Sequence, residues 1–241
     1  NPAYDLIVQA LGGIMSITGH EKQEPVRVGS SIGDITAGLF TTIGIQSALI
    51  KRNLTKVGCH IDISMLDCQI AILENAVSKF FCEKKVPKKL GTRHPSIAPF
   101  ECFKCKDNFI AIAAGNNSLF KKLCKGLSAD KIYSSKIFKN NELRLKNVEK
   151  LKIEIEKILK NKSSKYWISK LSALGVPVSK LNNIKEALEL PQILNRNMVV
   201  DVNLNKNLKI KVAGNPIKFS NYKDKSFRKA APNLDQNRKK I

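Results

Sequence analysis

Three carboxylates stand where this chain could put one to chemical use: Asp34, Asp62 and Asp67. Asp34 closes the run Val28-Gly29-Ser30-Ser31-Ile32-Gly33-Asp34, after a glycine-containing loop and at the start of an apolar stretch over residues 35–50 with helical spacing. The first N–H groups of a helix lack an intrahelical acceptor, and the helix dipole is positive there. A carboxylate at that place is therefore favoured in its ionised form. Such a group is either a simple helix cap or a nucleophile able to carry an acyl group covalently. Asp62 lies among alternating isoleucines and Asp67 near a second helix start; both read as structural.

Other side chains with chemical potential are sparser. Arg93-His94-Pro95-Ser96 is a polar loop in which Arg93 is a natural partner for a carboxylate, with His94 beside it; the alternative is a plain surface pair. Gly12-Gly13 and Gly115-Asn116-Asn117 are turns whose backbone N–H groups could face a developing oxyanion. For the second turn, the plainer reading is a helix cap. Cys102-Phe103-Lys104-Cys105 has metal-ligand spacing but no partner pair. A strand with Cys102 and Phe103 on opposite faces accounts for it, so no metal site is expected. The six cysteines are scattered, which fits a reducing, cytoplasmic compartment better than a disulfide scaffold.

The elements that must hold these residues follow from periodicity. The sequence predicts a helix over 6–14 ending in glycines, a loop over 16–33, and a buried apolar helix over 35–51. A strand over 60–64 and a helix over 66–81 come next. That order belongs to an α/β layer. A basic linker over 83–89 leads to a hairpin (99–105 and 109–114 around Lys106-Asp107-Asn108), a helix over 119–125 and a charged amphipathic helix over 141–160. Ser163-Ser164 caps a helix over 165–174 that stops at Gly175. A short helix over 184–190, a hairpin over 198–204 and 208–212, and a polar basic tail complete the chain. The domain reading is 1–85 for part of a large α/β domain holding Asp34, 86–180 for a smaller α+β domain, and 181–241 for a segment returning to the large domain.

The chain has 241 residues and a formal net charge of +22. Only seven of its 42 cations are arginine, and lysine is spread evenly among asparagine and isoleucine. Phosphate and base recognition favours the arginine fork, so the composition argues for a lysine-biased surface and against a nucleic-acid-binding module, which remains the rival reading from another class. The same surface suits a small polyanion. No apolar run reaches the ~18 residues of a membrane span. The opening Asn1-Pro2-Ala3 reads as the C-terminal two-thirds of a longer protein.

Taken in order, the segments resemble the family III CoA-transferases, which include formyl-CoA transferase, carnitine-type CoA-transferases and 2-methylacyl-CoA racemase. The matching pieces are Tyr4-Asp5-Leu6-Ile7-Val8-Gln9-Ala10 with Gly12-Gly13-Ile14-Met15, then Gly33-Asp34 with Gly38, and Ile61-Asp62-Ile63-Ser64-Met65-Leu66-Asp67. Further on come Gly91-Thr92-Arg93-His94-Pro95-Ser96-Ile97-Ala98-Pro99-Phe100, Gly175-Val176-Pro177, and Gly214-Asn215-Pro216-Ile217-Lys218-Phe219-Ser220. The resemblance implies a Rossmann-like large domain with a smaller α+β domain, in chains that interlock as homodimers. It implies Asp34 as the covalent nucleophile. Ala3, Tyr4, Gly12, Gly13, Arg93, His94, Gly115, Asn116 and Asn117 would then contact CoA or the acyl group. A coenzyme A thioester is implied as substrate, not as a tightly bound cofactor, with a small carboxylic or dicarboxylic acid as the other substrate.

Family racemases carry a histidine at the position of Tyr4. A phenol with a pKa near ~10 is a poor base at neutrality, so the transferase reading is preferred over the racemase one. Formyl-CoA transferases also have a long glycine-rich loop with no counterpart between Phe80 and Phe100. That departure argues against formyl-CoA and oxalate, and for succinyl-CoA with dicarboxylic or hydroxy acids.

Overall fold

The computed structural model describes residues 2–205, 208–222, 224–236 and 238. The chain forms a mixed α/β structure of two compact units, Asn1–Ser179 and Lys180–Ile241.

The first unit opens with five helices: α1 (Asp5–Leu11), α2 (Ile14–Ile17), α3 (Ile32–Thr55), α4 (Met65–Ala71) and α5 (Asn75–Glu83). Helices α1, α3 and α4 pack on one another through a small interior of Val8, Gln9, Gly33, Thr36, Cys68 and Gln69. Glycine permits the closest approach: a Cβ on Gly12 would overlap the Gln69 side chain. The 24 residues of α3 extend about 36 Å at the helical rise. They end where Lys56 turns left-handed (φ 61°) and donates its N–H to the Arg52 carbonyl at 2.7 Å.

The main core lies further along. Strands β1 (Phe100–Lys104) and β2 (Phe109–Ala113) form an antiparallel hairpin in the register Phe100↔Ala113 to Lys104↔Phe109, and β3 (Val178–Lys180) joins on the far side of β2. Around this sheet the core is completed by α6 (Asn117–Leu127), α7 (Asp130–Tyr133), a 3-10 turn (Lys136–Phe138), α9 (Val148–Leu159) and α10 (Ser164–Ala173), with α8 (Asn141–Lys146) packed on the 3-10 turn and α9. Leu151, Ile155 and Leu159 recur every four residues on α9 and are buried with Phe103, Ile110, Leu123 and Leu171. Truncating one such side chain costs about 2–5 kcal/mol. The hairpin turn is tied to α10 by Asp107, whose carboxylate accepts the Ser164 N–H at 2.7 Å and its hydroxyl at 3.1 Å. The Ser164 backbone N–H, chiefly, holds the Asp107 carboxyl below its ordinary pKa.

The second unit contains α11 (Ile184–Leu188), α12 (Pro191–Asn195) and a sheet of β4 (Val199–Asn203), β5 (Lys209–Ala213) and β6 (Phe227–Lys229) in the order β5-β4-β6. A capping box between Asn183 and Glu186 starts α11. Asp224, paired with Lys218 and Arg228, braces the approach to β6.

The structure corrects several expectations. Residues 60–64 form no strand: Ile61 and Ile63 do alternate, and both side chains rest over Gly44 of α3, but no ladder partner pairs with them among the described residues. The helix expected over 66–81 is two helices, separated where Glu74 adopts φ 53°. The one expected over 141–160 breaks at Asn147, whose amide donates to the carbonyls of Ile137 and Leu143 and so competes with the helix ladder. Helix α3 is not buried as its apolar content suggests. Gly33 and Thr36 are buried, while Ile35, Leu39, Ile43, Ile50 and Leu54 are exposed. Among the described residues, no helix is long and apolar enough to cross a membrane.

Candidate active site at the start of a long helix

Asp34 is the third residue of α3 and is exposed to solvent. The N-cap residue Ser31 makes no side-chain cap bond. The capping oxygen comes instead from Asp5 in the first turn of α1, which accepts the Gly33 N–H at 2.9 Å on Oδ1. The other oxygen, Oδ2, accepts from Gln9 Nε2 at 2.8 Å, and Gln9 Oε1 accepts the Val28 N–H at 2.9 Å. Arg27 lies 3.8 Å from Asp5 Oδ2. Two side chains one turn apart on α1 thus hold Val28 and Gly33, on either side of the short segment that delivers Asp34. Gly33 has no room to spare, since a Cβ there would sit 3.2 Å from Asp5 Oδ1.

This bond also brings Tyr4 toward Asp34, because each is the chain neighbour of one member of the Asp5–Gly33 pair. Tyr4 is the N-cap residue of α1 and is 83% exposed; Ala3 beside it is exposed as well. Gly12 and Gly13 lie at the other end of the seven-residue helix α1, about 10 Å along its axis. The Gly12 N–H is committed to the Val8 carbonyl at 2.8 Å, so it is not a spare oxyanion donor. Gly13 is left-handed (φ 82°) with open space above it.

Arg93 and His94 line a different feature, a cavity of about 830 Å³ shared with Ile17, Leu73, Glu74 and Lys79; Asp34 is not among its lining residues. Arg93 is ion-paired with Glu149. His94 Nδ1 accepts the Ser96 N–H at 3.1 Å, which leaves the proton of the neutral ring on Nε2, and the ring is tilted against Phe100 at 5.2 Å. The turn Gly115-Asn116-Asn117 is held from within. Asn116 caps α6 by accepting the Leu119 N–H at 2.8 Å, and Gly115 lies so close to Ile97 that a Cβ would overlap it. Arg144 joins this turn to the loop containing His94. Buried completely, it donates to the carbonyls of Ala98 (2.7 Å), Phe138 (3.2 Å) and Gly115 (3.2 Å) and to Asn117 Oδ1 (3.1 Å), with its guanidinium 4.6 Å from the Phe120 ring centre. Burial pushes its pKa down.

The sequence reading placed Asp34 at a helix start, where the structure has it, and missed Asp5, Gln9 and Arg144 as organisers. Asp5 and Gln9 fall inside the motif that starts α1, yet nothing local to that motif shows that they serve a loop some 20–30 residues away. Arg144 did carry a signal: in a chain that uses lysine for most cations, an arginine marks a place where a planar, many-donor fork is needed. Among the described residues, no three His, Cys, Asp or Glu side chains gather as a ligand set for a metal ion.

Comparison with known proteins places the chain in a family. The family model for CoA-transferase family III matches residues 1–238, so the chain belongs to that family. It is 40% identical over 236 residues to the acetyl-CoA:oxalate CoA-transferase of Acetobacter aceti, covering 98% of this chain and 59% of that protein. It is 34% identical over 221 residues to the human succinyl-CoA:glutarate CoA-transferase, covering 91% and 50% respectively. A CAIB/BAIF family protein from Brucella suis superposes with a TM-score of 0.81 at 31% identity, over all of this chain and 62% of that one. The chain therefore spans roughly half to three-fifths of the length of these relatives.

Proposed function

We propose that this chain carries the nucleophile of a CoA-transferase that moves coenzyme A from an acyl-CoA donor, succinyl-CoA in type, to a dicarboxylic acid. The observation that carries the reading is Asp34: a carboxylate in the first turn of α3, open to solvent, just after a segment held at Val28 and Gly33 by side chains of α1, in a member of a CoA-transferase family. In the first step an Asp34 oxygen attacks the thioester carbonyl, the C–S bond breaks, and CoA leaves as the thiolate with a mixed anhydride in place. The thiolate then attacks the Asp34 carbonyl, releasing the donor acid and leaving an aspartyl-CoA thioester. The acceptor carboxylate attacks that thioester, CoA thiolate leaves again, and its return to the acceptor carbonyl frees Asp34 and yields the new acyl-CoA. Each step exchanges groups of similar energy, so one difficult transfer becomes four easier ones.

Tyr4, beside the Asp5–Gly33 bond, is read as a neighbour of the pantetheine arm, and Ala3 with it. Gly12, Gly13, Arg93, His94, Gly115, Asn116 and Asn117 are read as further contacts for CoA or the acyl group. Operation as an interlocked homodimer is part of the same reading. The absent glycine-rich loop argued against oxalate, whereas one relative at 40% identity is named for oxalate and another for glutarate. Both names specify a diacid, and the proposal adopts that class.

Incubating the full-length protein with succinyl-CoA, trapping with hydroxylamine and digesting it is expected to yield a hydroxamate on the peptide containing Asp34. Asp34→Ala is expected to abolish both the adduct and transfer. Transfer that survives Asp34→Ala removes the proposal. Deuterium entering the α-carbon of an acyl-CoA in D2O without any acceptor acid would favour the racemase reading instead.

A further inference from the structure

We infer that Asp5 and Gln9 are positioning residues for Asp34, acting as a relay that fixes where its carboxylate stands; this rests on Asp34 being the nucleophile. Three bonds in series define the relay: Val28 N–H to Gln9 Oε1, Gln9 Nε2 to Asp5 Oδ2, and Gly33 N–H to Asp5 Oδ1. The two backbone donors bracket the loop immediately ahead of Asp34. Ser31 supplies no side-chain cap, so the acceptor for the second residue of α3 comes from another helix. The orientation of the first turn, and of Asp34 one residue later, is thereby referred to α1.

The chemistry demands the pair as it stands. Asp5 must accept on both oxygens at once. A carboxamide at position 5 would accept from Gly33 on one side but present N–H donors to the N–H donors of Gln9 on the other. Rotating the Gln9 amide to cure that clash would turn its donors onto the Val28 N–H. Gln9 is completely buried, so no substrate reaches it, and any effect it has on turnover must pass through the loop. Arg27, 3.8 Å from Oδ2 and half-exposed, faces the charge of Asp5 from the loop side.

A double substitution separates positioning from other roles. Asp5→Asn with Gln9→Glu rebuilds all three hydrogen bonds with the central donor reversed. The asparagine oxygen accepts from Gly33, its amide donates to the glutamate, and the second glutamate oxygen accepts from Val28. A displacement near 1 Å costs a catalytic group about a hundredfold in rate. In the full-length protein, Asp5→Asn is expected to lower kcat about tenfold to a hundredfold, with KM for the thioester within about threefold of the parent. The double variant is expected to recover kcat to within about threefold. Gln9→Met breaks the relay in the buried interior and is expected to lower kcat with KM unchanged; it decides the matter if Asp5→Asn does not fold. The inference fails if Asp5→Asn and Gln9→Met both keep full kcat, or if a double variant that melts like the parent stays as slow as Asp5→Asn. Asp34→Asn, run in parallel, tells the two failures apart. Turnover in Asp34→Asn overturns the nucleophile assignment. An inert Asp34→Asn beside fully active Asp5 and Gln9 variants overturns the relay alone.

Discussion

Arg144 Nε donates to the carbonyl of Ala98 at 2.7 Å, across 46 residues of sequence, and the rest of its guanidinium serves Phe138, Gly115 and Asn117. A cation fully withdrawn from water is here solvated by neutral oxygens and an aromatic face. Replacing it with Met takes the donor from two buried carbonyls, Ala98 and Phe138, and from the partly exposed oxygens of Gly115 and Asn117, and is expected to cost about 3–5 kcal/mol in urea unfolding. Lysine, a point charge with no fork, is expected to recover less than half of that loss.

Gln69 and Gly12 form a second tight relationship. The Gln69 amide is completely buried, and among the described residues neither its nitrogen nor its oxygen has a hydrogen-bond partner. Leaving such groups unmade costs about 1–3 kcal/mol, so Gln69→Met, which keeps the shape, is expected to raise the unfolding free energy by about 1 kcal/mol. Gly12→Ala, which drives a Cβ into the same side chain, is expected to destabilise by about 2 kcal/mol. A double-mutant cycle with Gln69→Ala should return most of that cost. Strict additivity would show that the two residues do not press on each other.

Gly115→Ala tests the turn beside the main core. Its new methyl would overlap Ile97 in the loop that Arg144 also holds. A drop of several degrees in melting temperature is expected for Gly115→Ala, and partial recovery on adding Ile97→Val.

Alkaline pH acts through the thiols. Burial, as the main cause, pushes Cys105 up to about 11 and Cys124 up to about 12, against 9.0 for an ordinary cysteine here. Between pH 9 and about 12 the unfolded chain gives up protons that the folded chain keeps, so their contribution is intact below pH 9 and is lost as pH rises through that window. Urea midpoints measured from pH 8.5 to 11 should fall, and fall less steeply in Cys124→Ala. Native alkylation should modify the exposed Cys59 and Cys82 well before Cys105 and Cys124.

What the sequence revealed tracks the range of the forces involved. The hairpin of β1 and β2 was readable because alternation and a polar turn are local, as were the Ser163 cap and the left-handed Gly175 at φ 70°. The break at Asn147 was not, since it depends on a carbonyl ten residues back, at Ile137. Strand β6 was hidden in a polar tail: three residues carry no periodicity, and the strand exists only because β4 pairs with it. For the site, Asp34 was recognisable as a helix-start carboxylate from its own neighbourhood. The hydrogen bond that anchors that helix start joins residues 28 positions apart and became visible only when α1 was laid against α3.

The outward row of α3 has a colloidal consequence. Aliphatic groups recurring from Ile35 to Leu54 make a ridge that water wets poorly, on a molecule whose formal charge of +22 keeps copies apart at low ionic strength. Salt shortens the reach of that repulsion from about 10 Å at 0.1 M to about 3 Å at 1 M while leaving the ridge as sticky as before. Light scattering from this chain should accordingly climb as sodium chloride is added, the reverse of the salting-in expected of a protein whose copies attract through opposite charges.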